Sequence, residues 1–422
     1  VTFTTLDLVA LQRRTVRVLI AGQILGGLGI GATLSIGSVL AAEVSGSEAW
    51  AGAAATMSTL GAAAVAIPLG RLTRRYGRRV SLSLGTGIAL LGAIVTVLAA
   101  ALGFFPLMLL GFGMLGSGAA VGLQSRFAAT DVADPRHRGR DLSIVVWSAT
   151  VGSVVGPNLF GPGEIIATLL RMPPLTGSFV IAVIAQLAAV CVYAFALKPD
   201  PYLVSQRIAS EASAPDEPQV ATATAADRDA GLARNRTLVV VAIGILGLSH
   251  ATMVSVMSMT PVHLVHHGTS LAGVGLTLSL HIAGMFALSP VFGWMSDKYG
   301  RYRVILGGQA LFAVSLVIVA FGENSMTLVT VGLIFLGLGW SASTVSASAL
   351  LGDLVTGAAR PIIQGRSDLV MNLAGAVGGA AAGPALALVG YPGLAASAGV
   401  LVAAVVVAVV TVGLPSLRAR TA

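Results

Sequence analysis

Residues 293–303 read Gly293-Trp294-Met295-Ser296-Asp297-Lys298-Tyr299-Gly300-Arg301-Tyr302-Arg303, a polar turn wedged between apolar runs at 270–294 and 304–322. A second turn of the same kind, Gly70-Arg71-Leu72-Thr73-Arg74-Arg75-Tyr76-Gly77-Arg78-Arg79, joins apolar runs at 50–70 and 80–102. An apolar stretch of about 20 residues crosses a bilayer as one helix. Lipid offers the backbone no water, so such stretches must satisfy their own N–H and C=O groups as helices. A short basic turn between two of them marks a return through the membrane.

Composition agrees along the whole chain. Of 422 residues, 55% are hydrophobic and 10% charged, against about 25% charged in soluble domains; mean hydropathy is +0.89. The net charge of +8 forms no basic stripe with interleaved aromatics, so nucleic acid is not an expected partner. Cys191 is the only cysteine, which excludes an intramolecular disulfide and a cysteine metal cluster. The run Val18–Leu40 follows Arg13, Arg14 and Arg17. It exceeds the roughly 7–15 apolar residues of a cleaved signal and reads as a retained span.

Spans are expected near 18–41, 50–70, 80–102, 105–127, 142–162 and 175–197, then 237–262, 270–294, 304–322, 326–351, 367–389 and 391–414. With both ends inside, alternation puts 24 of the 25 basic residues on the inner side, leaving only Arg171 outside. The positive-inside bias predicts that segregation, and one span more or fewer would mix it. The stretch 198–236 is polar, contains Ala214-Pro215-Asp216-Glu217-Pro218 and lacks apolar periodicity. It reads as a partly disordered cytoplasmic linker. The expected organisation is an all-α polytopic membrane protein: six helices in 1–197, the linker 198–236, six helices in 237–422. Its expected location is the plasma membrane, as a multi-pass monomer.

The halves echo one another. Gly70 and Gly293 are 223 residues apart; Gly152-x3-Gly156-Pro157 and Gly379-x3-Gly383-Pro384 are offset by 227; Gly139-Arg140-Asp141 and Gly365-Arg366-Ser367-Asp368 begin 226 apart. On these residues the sequence resembles the major facilitator superfamily. The most specific element is the loop Gly293, Asp297, Lys298, Gly300, Arg301, with Gly70, Gly77 and Arg78 as its first-half counterpart. The Gly152, Gly156, Pro157 motif resembles that of proton-coupled drug antiporters, with Phe160 where a glycine is usual. The resemblance implies two pseudo-symmetric six-helix bundles, alternating access by rocking, and a cytoplasmic latch built on the loop aspartates. Two departures stand out. Arg74 occupies the first-half aspartate position, and Gly111–Gly116 lacks the arginine usual in antiporters.

Each candidate has a plainer reading beside it. The basic loops serve topology at least as readily as gating; the repeated Gly-x-Tyr-Gly-Arg spacing favours a gate, with Asp297 facing a helix N-terminus or an arginine across the halves. Gly375, Gly379 and Gly383, like Ser148, Gly152 and Gly156, fall on one helix face and suit close packing or a sliding seam. No acid lies deep in an expected span, Asp353 and Asp368 falling at inner ends. Ionisable groups inside a membrane mark function, so His250 and His281, near mid-span, are proton-coupling candidates, and Asp368 is a third. A neutral, hydrogen-bonded histidine is the alternative. His263, His266 and His267 would share a helix face, but Pro261, Gly268 and Thr269 read as a loop, and no metal site is expected. Gln23, Asn158 and Asn372 are candidates to line a charge-poor cavity.

These features point to a secondary transporter of small molecules without a cofactor, working by proton-coupled efflux of lipophilic or amphipathic compounds. The alternative is a metabolite importer or facilitator. An enzyme is disfavoured, since there is neither a His-Glu-x-x-His pair nor a P-loop.

Overall fold

A computed structural model describes residues 5–46, 50, 53–155, 160–173, 175–212, 225–355 and 357–415. Among them every regular element is helical. In chain order these are α1 (Thr5–Ser45), α2 (Ala53–Leu102), α3 (Phe105–Ala128), α4 (Arg138–Val155), α5 (Phe160–Leu169), α6 (Gly177–Cys191) and α7 (Pro201–Ala212). There follow α8 (Ala225–His266), α9 (Leu271–Phe286), α10 (Ser289–Tyr299), α11 (Arg301–Phe321), α12 (Met326–Leu354) and α13 (Arg360–Ala408).

The helical count becomes twelve crossings once the long elements are divided. The apolar run Thr56–Leu102 has 47 residues, about 70 Å of helix at ~1.5 Å per residue, more than twice the ~30 Å hydrocarbon core. It breaks at Gly77 (φ 87°). The run Gly357–Gly413 breaks likewise at Gly390 (φ 69°). Each therefore crosses twice, while α4 with α5, and α9 with α10, each make one crossing. The fold is that of a twelve-helix, two-bundle membrane protein.

Apolar side chains sort by half. Leu19, Leu82, Val121 and Tyr193 share one core, and Leu40, Phe112 and Phe179 another, all before the linker. Phe312, Leu333, Trp340 and Leu394 pack together beyond it. Between the halves contact is thinner: Leu142 and Val146 of α4 meet Val345 of α12, and Phe127 of α3 joins Tyr302 and Leu350. Large apolar side chains such as Leu91, Phe321 and Leu388 remain exposed on the rim, as a surface solvated by hydrocarbon requires.

Three local readings change. Part of the expected linker is helix α7, with Tyr202 and Val204 buried. Asp200 starts it by accepting from the backbone N–H of Tyr202 and Leu203 at 3.0 and 3.2 Å, just before Pro201, a favoured first helical residue. Helix α8 runs through Pro261 to His266, so the histidines expected in a loop lie at a helix end. Neighbouring helices let a membrane helix tolerate the missing N–H. Finally, α13 begins at Arg360, which sets Asp368 two turns inside a helix and leaves it 1% exposed; it was expected at a span end.

Candidate functional site

The two polar turns close against opposite halves. In the first, the positive φ of Gly77 reverses the chain between the arms of α2, a conformation costly for residues with a Cβ. It delivers Arg78 to the protein interior. The Arg78 guanidinium grips Asp131 with Nε to Oδ2 at 2.7 Å and Nη2 to Oδ1 at 3.2 Å. It also donates to Gln124 at 3.2 Å and, across the seam, to Gln364 of α13 at 2.7 Å. Arg78 and Asp131 side chains are both 0% exposed. Arg360 adds a second positive charge 3.5 Å from Asp131 and donates to Thr130 Oγ1 at 2.8 Å. Arg74, by contrast, is exposed. The first-half turn thus draws its carboxylate from Asp131 and not from within the motif.

The second turn bends at Gly300 (φ 95°) and presents Asp297 to the start of α4. Asp297 accepts from the backbone N–H of Gly139 at 2.9 Å and of Arg140 at 2.8 Å, and it is paired with Arg301. First-turn amides have no partner within their own helix, and the helix dipole favours a negative charge there. Asp353 joins the same corner, accepting from Arg138 at 2.9 Å and from Arg301 at 3.1 Å. Lys298 is exposed, its amine 4.7 Å from the Trp294 ring centre.

Glycines let both seams close. A Cβ on Gly70 would stand 2.5 Å from the Pro361 carbonyl oxygen, and one on Gly365 2.6 Å from that of Ala66. A Cβ on Gly293 would collide with Ser143 Oγ and the Gly139 carbonyl. So α2 meets α13, and α10 meets α4, through nearly bare backbone. Within the halves, Gly152 lies against Gly27, Gly375 against His250 and Gly379 against Val254, while a Cβ on Gly383 would meet nothing. Pro384 sits inside α13. Gly156, Pro157 and Asn158 lie outside the described residues.

Deeper between the halves, Arg126 of α3 donates to Asp368 of α13 at 2.6 Å, with side chains 2% and 1% exposed. The other carboxylate oxygen and the Arg126 Nε are buried without a partner. Asn372, one turn further, bonds the Asp368 carbonyl at 2.8 Å. Gln23 of α1 donates to the Gly122 carbonyl at 3.3 Å. From the other half, His250 Nδ1 accepts from the Trp340 indole at 3.0 Å, and Phe286 meets the Trp340 ring edge-on at 5.7 Å. His281 points elsewhere: its Nδ1 donates to the Leu333 carbonyl at 2.7 Å, between α9 and α12. The two imidazoles thus have separate partners.

Sequence reasoning found Asp297 and its class of partner but not the pairs Arg78–Asp131 and Arg126–Asp368. The available signal was the scarcity of acid: in a chain with only 17 Asp and Glu, one beside a helix end rich in arginine is a counter-ion in waiting. At the C-terminal end of α8, His263 stacks on Tyr391 with ring centres 4.0 Å apart and bonds the Glu323 carbonyl at 2.7 Å. No group suited to a metal ion occurs among the described residues.

Comparison with known proteins agrees with this architecture. The family model described as Major Facilitator Superfamily matches residues 19–267 and 239–421. The Bacillus subtilis protein named "Uncharacterized MFS-type transporter YdeG" is 35% identical over 93% of this chain and 90% of its own length. The "Riboflavin transporter RfnT" of Brucella anthropi is 31% identical over 85% of each chain. The crystal structure of the human organic anion transporter MFSD10 superposes with a TM-score of 0.71 at 15% identity, covering 93% of this chain and 98% of that one. Twin polar turns, paired six-helix halves and matches spanning nearly the whole chain have one explanation: this is a membrane transporter and not an enzyme, and it belongs to the Major Facilitator Superfamily.

Proposed function

We propose that the chain is a proton-coupled secondary transporter that exports amphipathic, flat aromatic compounds by alternating access, its two bundles rocking about the seam. The observation that carries this reading is the buried Arg126–Asp368 pair, which ties α3 to α13 across the two halves. With Asp368 ionised, the pair holds the halves together on the side of the polar turns. A proton on Asp368 cancels its charge and removes the ion-pair attraction to Arg126, leaving only a hydrogen bond from the guanidinium to a neutral carboxyl. The turns can then part. Loss of the proton to that side remakes the pair and returns the carrier with its cargo. Proton entry is thereby linked to outward movement of substrate.

Asp368 is preferred to His250 and His281 as the proton site because it alone of the three bridges the halves. The aromatic group His250, Trp340 and Phe286, with the amides of Gln23 and Asn372 as further candidate contacts, suits a flat molecule carrying a few polar groups. The turns lie in the cytoplasm on this reading, as do both ends of the chain, and the working unit is a monomer in the plasma membrane. Proteoliposome flux with and without an imposed pH gradient tests the coupling: substrate accumulation independent of the gradient would refute it.

A second reading is uptake of a metabolite. It is favoured by the relative named a riboflavin transporter. The same flux assay, run with the gradient reversed, separates the two directions.

A further inference from the structure

Beside the turn that carries Asp297 lies a cleft unrelated to the seam between the halves. It is bounded by Phe292 and Tyr299 of α10 and by Arg303, Gly307 and Leu311 of α11, with Ala342 of α12 as its floor. Its volume is about 340 Å³, within the range of small-ligand sites. A Cβ on Gly307 would meet nothing within 4 Å, so the wall is open there. Arg303 and Leu311 are eight residues apart on one helix, about 12 Å at ~1.5 Å per residue. That depth approaches the ~15 Å of one hydrocarbon leaflet, half of a ~30 Å core. The walls are apolar except at the end nearest the turn.

There, among the described residues, no carboxylate pairs with Arg303 or Lys298. Arg303 and Lys298 are both exposed, and the nearby carboxylates are engaged: Asp297 with Arg301 and the α4 amides, Asp353 with Arg138 and Arg301. The Lys298 amine is held over the Trp294 and Tyr299 rings, 4.7 and 5.4 Å from their centres, at the level where aromatic side chains border a membrane. An apolar slot of one leaflet's depth, with Arg303 in its lining and Lys298 over the ring of Tyr299 that borders it, matches one kind of molecule.

We infer that this cleft holds an acyl chain of an anionic phospholipid from the leaflet bordering the turn, with its phosphate between Arg303 and Lys298. The site depends on the turn meeting the membrane surface and not on any transport cycle, so it stands or falls apart from the proposed coupling. Basic pockets between membrane helices take such headgroups. The lipid would brace α10 against α11 directly beside Asp297.

The test is native mass spectrometry of the full chain released from nanodiscs of equal phosphatidylglycerol and phosphatidylcholine with identical tails. The protein should retain phosphatidylglycerol in preference to phosphatidylcholine, and Arg303→Gln should lower that preference about fivefold. Gly307→Leu, which fills the slot, should reduce retention of both lipids. Arg74→Gln, an exposed cation of the other turn, should change nothing. Equal retention of the two lipids by the unaltered chain, an Arg303→Gln chain that behaves like it, or an equal loss with Arg74→Gln would each overturn the site.

Discussion

Arg126 and Asp368, 242 positions apart, meet at 2.6 Å where the two halves of the protein face one another, and each leaves one buried polar atom unbonded. A pair that is sealed from water yet incompletely satisfied is poised to change. Its remaining lone pair has no partner to lose when a proton arrives.

Asp368→Asn keeps the shape and removes the titration. The variant should exchange substrate across proteoliposomes at equilibrium but lose gradient-driven accumulation by at least about tenfold, equivalent to about 1.4 kcal/mol. His281→Gln should accumulate substrate normally. Counterflow and pH-jump uptake measured on the same vesicles check both, and full accumulation by Asp368→Asn would move the proton site elsewhere.

Arg78 is a different kind of pair member, because Asp131, Gln124 and Gln364 all lean on it. Removing one partner of a buried ion pair costs about 3–5 kcal/mol. Arg78→Ala should therefore lower the unfolding temperature in detergent sharply, whereas exposed Arg74→Ala should stay within about 0.5 kcal/mol of the parent. Similar melting of the two variants would deny Arg78 its structural weight.

Asp297 binds α4 through peptide N–H groups, so side-chain changes at residue 140 should spare the contact. Arg140→Gln should leave the seam closed. Arg140→Pro deletes one donor while respecting the first helical turn, where proline is tolerated. Spin labels at residues 136 and 366 on a Cys191→Ser background would report longer, broader distances for Arg140→Pro and Asp297→Asn only. Parent-like distances in both would show that the closure rests on other contacts.

The glycine seams allow a steric version of the same experiment. A methyl on Gly70 or Gly293 would intrude on the Pro361 or Gly139 carbonyl. Gly70→Ala and Gly293→Ala should each shift those spin-label distances toward the open form. Gly383→Ala, where a Cβ meets nothing, should not.

How far the chain could be read in advance follows from which forces are local. Span count and symmetry were legible because desolvation acts on every window of about 20 residues, and basic turns punctuate them. Asp297 was legible because its motif is contiguous. Arg126 with Asp368, and Arg78 with Gln364, were not, since each joins residues from different halves and nothing near either in sequence names the other. Asp200-Pro201 did carry a helix start, but the polar composition around it suggested a linker. The histidines drew notice as ionisable groups in apolar runs; their partners, the Leu333 carbonyl and the Trp340 indole, belong to another helix and could be assigned only in three dimensions.

Because the acceptor at residue 297 is met by amides at 139 and 140, the contact leaves the side chain at 140 free to vary. Every amino acid but proline supplies the donor at 140, so mutations there need no answering change at 297; at 139 a Cβ would stand 2.7 Å from the Asp297 carboxylate, so space and not chemistry holds that position to glycine. The pair Arg126 and Asp368 ties two side chains to each other, whereas Asp297 is tied to no side chain at 140. An aspartate can thus be held in place across the halves with no charged partner on the far side to mark it.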